Sequence, residues 1–375
     1  MAWNHRTLWR LDWRFLPIII ALMVISLLVI AATDPSSIGD SFLTAKVQKQ
    51  CKHFLLGWAV FLFCAAFDYN KLRDCALILY VAMIIALLGL FLAPAVQNVH
   101  RWYRLPMIGT SIQPAEYAKL IVVIALSWFL ERYRSAVAQL PLSLCACLIF
   151  GIPFLLILKE PDLGTALVLC PIACVMFYLG GVHPRLVRCM FWIGGAALLI
   201  ILLIFMEIIP FDAMRPLVTK VLRAYQYERL NPHNHHQWAA CTAIGVGGLT
   251  GSGWRSSSFT GRGWLPYAHT DSVFPAFGEE FGLLGLLFIL VLFYTLIYLG
   301  FQVTAVAKDH FGRMLSAGIT VYLAMHVLIN VGMMCGLLPV TGVPLLLVSY
   351  GGSSVFVTMA GLGILQSVYT RRFMF

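Results

Sequence analysis

Asp271 stands where a polar loop meets an apolar stretch: Leu265-Pro266-Tyr267-Ala268-His269-Thr270-Asp271-Ser272-Val273-Phe274, then Glu279-Glu280-Phe281-Gly282, then an almost wholly apolar run from Leu283 to Gly300. A carboxylate at the mouth of a membrane helix faces low dielectric, where it is costly without a partner or a task. Thr270 or Asp271 could cap that helix, with Glu279 and Glu280 near the positive end of its dipole. Capping does not account for three acids, a histidine and a glycine-rich approach at one mouth. A carboxylate there suits proton abstraction from an attacking hydroxyl. This is read as the reacting end of a membrane enzyme.

Four more groups of polar residues bear on the chemistry. His100-Arg101-Trp102 is followed by Gln113-Pro114-Ala115-Glu116-Tyr117-Ala118-Lys119, with Pro114 suited to a first helical turn and Glu116 and Lys119 on neighbouring positions of one face. That pair is either an internal ion pair or a charge kept for a ligand. Lys159-Glu160-Pro161-Asp162-Leu163-Gly164-Thr165 forms a charged turn. Ala243-Ile244-Gly245-Val246-Gly247-Gly248-Leu249-Thr250-Gly251-Ser252-Gly253-Trp254 is either a flexible loop or a backbone able to approach a phosphate closely. No strand–helix unit surrounds it, which excludes a nucleotide fold. Pro339-Val340-Thr341-Gly342-Val343-Pro344 precedes Ser349-Tyr350-Gly351-Gly352-Ser353-Ser354, an irregular polar stretch tolerated at membrane depth only inside protein or along a cavity. His233, His235 and His236 lack a carboxylate or cysteine partner and read as a hydrated loop, so no metal site is assigned.

The elements that position these residues are membrane helices. With 61% hydrophobic and 11% charged residues, the 375-residue chain is no ordinary soluble domain. Spans of about 20 apolar residues are placed near 15–33, 54–67, 76–95, 116–130, 140–158, 164–181, 189–210, 279–302, 314–335 and 350–369. The expected fold is an all-α polytopic membrane protein, a single domain over 1–375, with a large extracytoplasmic loop at 211–271 between spans seven and eight. Short helices are expected near 213–229. Trp3, Arg10 and Trp13 precede a full-length first span, so no cleavable signal peptide is expected. No inverted repeat of broken helices is evident.

Orientation follows from basic residues: Arg6, Arg10 and Arg14 at one end, Arg371 and Arg372 at the other, and Lys71, Arg73, Arg132, Arg134, Arg185, Arg188, Lys308 and Arg313 in the short turns between. That face is expected to be cytoplasmic, with both termini on it. The opposite face carries Lys46, Lys49, Lys52, Arg101, Arg104, Lys159 and the basic residues of the long loop, so part of the net charge of +10 faces outward and suits an anionic lipid head group. Most of the ten cysteines fall within spans as small apolar fillers. Trp238, Trp254 and Trp264 suggest that the long loop lies on the bilayer surface.

In this order and topology the motifs resemble those of the SEDS family (shape, elongation, division and sporulation), the RodA/FtsW-type peptidoglycan polymerases. They are Arg101-Trp102, Gln113-Pro114-x-Glu116 with Lys119, Pro161-Asp162-x-Gly164-Thr165, Ala243-Ile244-Gly245 with Gly247-Gly248, Leu265-Pro266, Thr270-Asp271, Glu279-Glu280-x-Gly282 and Ser349-Tyr350-Gly351-Gly352-Ser353. The short N-terminal tail and Thr341-Gly342-Val343-Pro344 look more like the elongation (RodA) branch than the division branch. The chain departs from the family pattern at His100, Ala115, Ala239, Ser252, Leu346 and across Ser272-Val273-Phe274-Pro275.

The resemblance implies a peptidoglycan glycosyltransferase that polymerises lipid II, a disaccharide-pentapeptide on undecaprenyl diphosphate, by an inverting displacement. Asp271 is then the general base. Arg101, Lys119 and a divalent cation (magnesium or manganese) hold the diphosphate, and Glu116 and Asp162 orient them. Gln113, Thr165, Glu279, Ser349 and Tyr350 complete the expected substrate-binding set. The implied partner is a class B penicillin-binding protein, the implied site the bacterial inner membrane, and no nucleic acid is expected. The rivals are a lipid II flippase, which needs a polar path through both leaflets, and a non-catalytic scaffold, for which Asp271 is dispensable. The topology is tested by cysteines placed at position 257 and at the C-terminus. A membrane-impermeant thiol reagent is expected to label the first, and not the second, from outside the cell; labelling of both from outside refutes the orientation.

Overall fold

The computed structural model describes residues 10–34, 42–92, 101–105, 110–160, 162–206, 208–211, 215, 227, 231 and 234–373. Of the expected helices near 213–229 all but residues 215 and 227 lie outside these residues, as do His100, Pro161 and His233. The helices are α1 (Phe15–Thr33), α2 (Ala45–Ala66), α3 (Tyr69–Leu90), α4 (Pro114–Arg132), α5 (Leu140–Lys159), α6 (Leu163–Gly180), α7 (Pro184–Phe205), α8 (His235–Gly247), α9 (Val273–Val306), α10 (His310–Met334) and α11 (Gly352–Thr370). All but α8 reach 18 residues or more, and the chain is a multi-pass membrane protein. One departure from an all-α fold is a small antiparallel hairpin of β1 (Tyr103–Leu105) and β2 (Thr110–Ile112), with Tyr103 opposite Ile112.

Of the ten helices that reach 18 residues, eight are apolar enough to cross a bilayer by composition alone. The two that are not, α2 and α4, carry Lys46, Lys49, Lys52 and His53 in the first and Glu116 and Lys119 in the second. Charge at these positions hides the first turns of α2 from a hydropathy reading, so the helix begins at Ala45 rather than near 54. Both polar helices border the same cavity, described below.

Local chemistry sets the helix starts. Pro114 opens α4, Asp162 caps α6 by accepting from Thr165 N, and Asp309 caps α10 by accepting from Gly312 N. The core is built around α4, α10 and α11: α10 packs on α4, α6 and α9, and α11 packs on α2 and α10. At the other extreme, α7 buries only Val187 and Ile204 and presents the rest of its apolar surface outward, as a lipid-facing helix does. A reciprocal pair closes the chain: Asp12 N donates to Gln366 Oε1, and Gln366 Nε2 donates to Asp12 O.

Helix α9 is broken inside its length. Gly282 adopts φ 65°, ψ −166°, which interrupts the ladder between Glu279, Glu280 and the residues four further on. The segment after α8 satisfies the freed groups: Ser252 N and Gly253 N donate to the Glu279 and Glu280 carbonyls, and Leu283 N and Leu284 N donate to the Gly248 and Leu249 carbonyls. The glycine run thus approaches another backbone rather than forming a phosphate cradle. A Cβ on Gly251, at φ +83°, would stand 2.1 Å from Glu280 O. The consequence is measurable by thermal denaturation in detergent. Gly251→Ala is expected to destabilise by at least roughly 1–3 kcal/mol, the cost of a strained left-handed residue before the overlap is counted. Gly245→Ala, within α8 with nothing within 4 Å of the added carbon, is expected to be neutral or stabilising.

Candidate active site

At the centre of the bundle Lys119 Nζ lies 2.7 Å from Glu116 Oε1 and 2.7 Å from Nε2 of His326 on α10. Glu116 is 5% exposed and Lys119 1%. A protonated lysine has no lone pair, so His326 Nε2 is the acceptor and the ring proton sits on Nδ1, which faces Pro344 O at 3.4 Å. Two of the three ammonium protons are therefore placed within the protein. The Tyr322 ring lies 5.6 Å from the same nitrogen and shields it on one side.

The turn between α5 and α6 forms a second group. Asp162 Oδ2 accepts from Gln113 Nε2 at 2.7 Å and from Thr165 Oγ1 at 3.0 Å, joining the starts of α4 and α6. Arg101 Nε donates to Glu160 O at 3.1 Å. The Glu160 carboxyl is buried, with neither oxygen hydrogen-bonded among the described residues. Burial, reinforced by Asp162 and opposed by Arg101, pushes its pKa up to about 8. At neutral pH it is mostly protonated.

Asp271 is set in a loop held from several sides. Asn330 Nδ2 donates to Asp271 O at 3.1 Å, Ser349 Oγ donates to Thr270 O at 2.6 Å, and Tyr350 N donates to His269 O at 2.9 Å. Ser272 Oγ donates to Pro266 O at 2.8 Å, so His236 Nε2, 2.6 Å from the same oxygen, is the donor to it. Glu279 anchors the loop from below: its carboxylate accepts from Phe259 N at 2.7 Å, Thr260 N at 2.9 Å and Thr260 Oγ1 at 2.5 Å.

These groups meet in one cavity of about 1200 Å³. Of the residues singled out in the sequence, Asp271, Arg101, Gln113, Glu116, Lys119, Asp162, Thr165 and Tyr350 line it. Glu279 and Ser349 do not; both are buried behind the wall and hold backbone, which makes them supports rather than contacts. The other end of the cavity is apolar, walled by Leu56, Ala59, Val60 and Phe63 of α2 and Phe356 of α11. Leu56 and Phe63 are also exposed on the outside of the bundle, so this end reaches the lipid-facing surface. Among the described residues no three histidine, cysteine or carboxylate side chains converge as a metal set. No step below is routed through the expected divalent cation.

Comparison with known proteins places this architecture. A family model for cell cycle proteins of the FtsW/RodA/SpoVE type matches residues 8–373. The chain belongs to this family. The peptidoglycan glycosyltransferase MrdB of Escherichia coli strain K12 is 33% identical over 383 residues, spanning 98% of this chain and 97% of MrdB. A probable peptidoglycan glycosyltransferase FtsW of Geobacter metallireducens is 30% identical over 363 residues, 93% of this chain and 90% of its own. A solved chain from a peptidoglycan synthase complex that coordinates polymerization and crosslinking superposes with a TM-score of 0.77 at 25% identity, covering 97% of this chain and 99% of its own. The rod shape determining protein RodA of Thermus thermophilus shares the fold, with a TM-score of 0.69 at 24% identity.

Within this FtsW/RodA/SpoVE chain, sequence reasoning passed over His326 and Asn330. The available signal was their spacing: two polar side chains four apart in the apolar helix α10 share one face, and intramembrane polar residues are functional by default. The Glu116–Lys119 contact is testable by itself. Removing one partner of a desolvated ion pair costs roughly 3–5 kcal/mol, because the other is left buried and charged. Lys119→Met is expected to lower Tm in detergent markedly, and Glu116→Gln added to it to recover much of the loss. A Lys119→Met protein that melts like the parent refutes the buried pair.

Proposed function

We propose that the chain polymerises lipid II at this cavity, as a RodA-like peptidoglycan glycosyltransferase of side-wall growth. The observation that carries the reading is the placing of Asp271 with Arg101 and Lys119 in one cavity whose far end is apolar and open to lipid. Such a chamber suits a molecule with an anionic diphosphate between a sugar and a long hydrocarbon chain. The names of the relatives agree with it.

The chemistry follows from the groups present. An acceptor sugar hydroxyl attacks the anomeric carbon of the donor. The new O–C bond forms as the C–O bond to the diphosphate breaks, and the hydroxyl proton passes to the Asp271 carboxylate. The diphosphate departs on its lipid with its charge stabilised by Arg101 and Lys119, so no proton donor is needed for it. Displacement at the face opposite the leaving group converts an α-linked donor into a β-linked product. This differs from the two-carboxylate scheme of glycosidases.

A flippase reading is disfavoured by the packing inward of Lys119. There the α4 face continues as Val122, Val123 and Leu126, all buried at 0%, and the next polar side chain on it, Ser127, spends its hydroxyl proton on Val123 O. The basic turns support an orientation that opens the cavity on the outer face of the bacterial inner membrane, with both termini cytoplasmic. The partner proposed is a class B penicillin-binding protein, which would cross-link the strand made here; a solved complex that joins polymerization to crosslinking has a chain of this fold.

The test uses the purified chain, reconstituted with lipid II and its partner. Glycan strands are expected from the parent. Asp271→Asn keeps size and most hydrogen bonding but removes basicity, and should cost roughly 100-fold or more in rate with the protein still folded. Polymerisation near the parent rate by Asp271→Asn would eliminate Asp271 as the base.

A further inference from the structure

Asp271 precedes α9 by two residues, and Pro275 stands four residues after it. In a helical turn the carbonyl of Asp271 would receive the backbone N–H of residue 275. Proline has none to give. The donor comes instead from α10: Asn330, buried at 0%, lies with Nδ2 3.1 Å from Asp271 O and 2.7 Å from Val343 O. Two carbonyl acceptors fix the orientation of this amide, since the flipped form would set its oxygen against both. The same helix face carries His326, one turn away, which touches Lys119 and Pro344 O. The carbonyls of Val343 and Pro344 are thereby held by the same helix that holds Asp271 and Lys119.

We propose that Asn330 is the positioning residue for Asp271: its amide replaces the helical donor that Pro275 lacks and registers the carboxylate against the Val343 wall of the cavity. This rests on the reading of Asp271 as the general base. Asn330 itself touches no substrate in this scheme. Its effect is geometric, and displacing a reacting group by about 1 Å costs up to about 100-fold in rate.

The experiment compares Asn330→Ala, Pro275→Ala and the double variant, each reconstituted with lipid II, reading kcat, KM and Tm together. Asn330→Ala is expected to lower kcat about 10- to 100-fold, with KM within about threefold of the parent, as loss of an interaction that matters only in the transition state predicts. Pro275→Ala restores a backbone N–H four residues after Asp271, where a helical turn extended back to Asp271 would use it. Added to Asn330→Ala, it is expected to recover at least about fivefold in kcat, a non-additive gain that marks coupling. A merely structural Asn330, needed only to hold Val343, is not rescued from position 275. Should Asn330→Ala fail to fold, Asn330→Ser keeps one hydroxyl donor and gives the same rescue comparison. Asp271→Asn in the same assay separates the two failures. Near-parent activity there defeats the base reading. An inactive Asp271→Asn beside an Asn330 variant within threefold of the parent, or one not rescued by Pro275→Ala, defeats the positioning role alone.

Discussion

Every backbone N–H and C=O at membrane depth must find a partner, and this requirement organises the site. Two stretches abandon the helix, one at Gly282 and one between α10 and α11. Neither is left to lipid. The segment after α8 fills the gap in α9 with four backbone bonds, and the stretch before α11 is held by Asn330, His326 and its own Ser349. Irregular backbone is admissible there because it borders a cavity inside protein. Asp271 lies where these devices converge. The chain that carries it is thus fixed by the same bonds that make a broken helix tolerable.

The cavity combines charge with enclosure in a definite way. Lys119 is neutralised in part by Glu116 and accepted by a neutral imidazole, so its positive charge survives burial without a second carboxylate. Arg101 sits beside Glu160, an acid that burial keeps mostly protonated, and Asp162 on the same cavity wall has its oxygens occupied by Gln113 and Thr165. An anion entering the cavity meets both cations, Arg101 and Lys119, on its wall.

Much of this was legible in the chain. Long apolar runs gave the bounds of α1, α5, α6 and α11 to within a few residues, because composition alone decides a span. Polar clusters at span ends identified eight of the residues that line the cavity. What escaped had physical reasons. Helix α2 begins in charged turns that a hydropathy reading assigns to a loop, and the hairpin strands are three residues each, too short for any periodicity. The glycine run was open to two readings, a flexible loop or an approach to phosphate, since glycine reports only that something comes close and not what it is. Glu279 and Ser349 looked like contacts, because a polar residue at a membrane mouth gives no sign of which way it faces.

The clasp between Asp12 and Gln366 joins residues 354 apart in sequence, and the most extensive helix pairing in the bundle is between α2 and α11. The order of synthesis gives this a further meaning. Helix α2, made early, has its principal neighbour made last, so it waits in the bilayer while the rest of the chain emerges. Contacts of such long sequence separation are late and slow to form. A ribosome that stops short of the final span leaves behind a set of inserted helices without the one that gathers them. Completion of the cavity is thereby tied to completion of the chain, and an unfinished product has neither its α11 wall nor a closed interior.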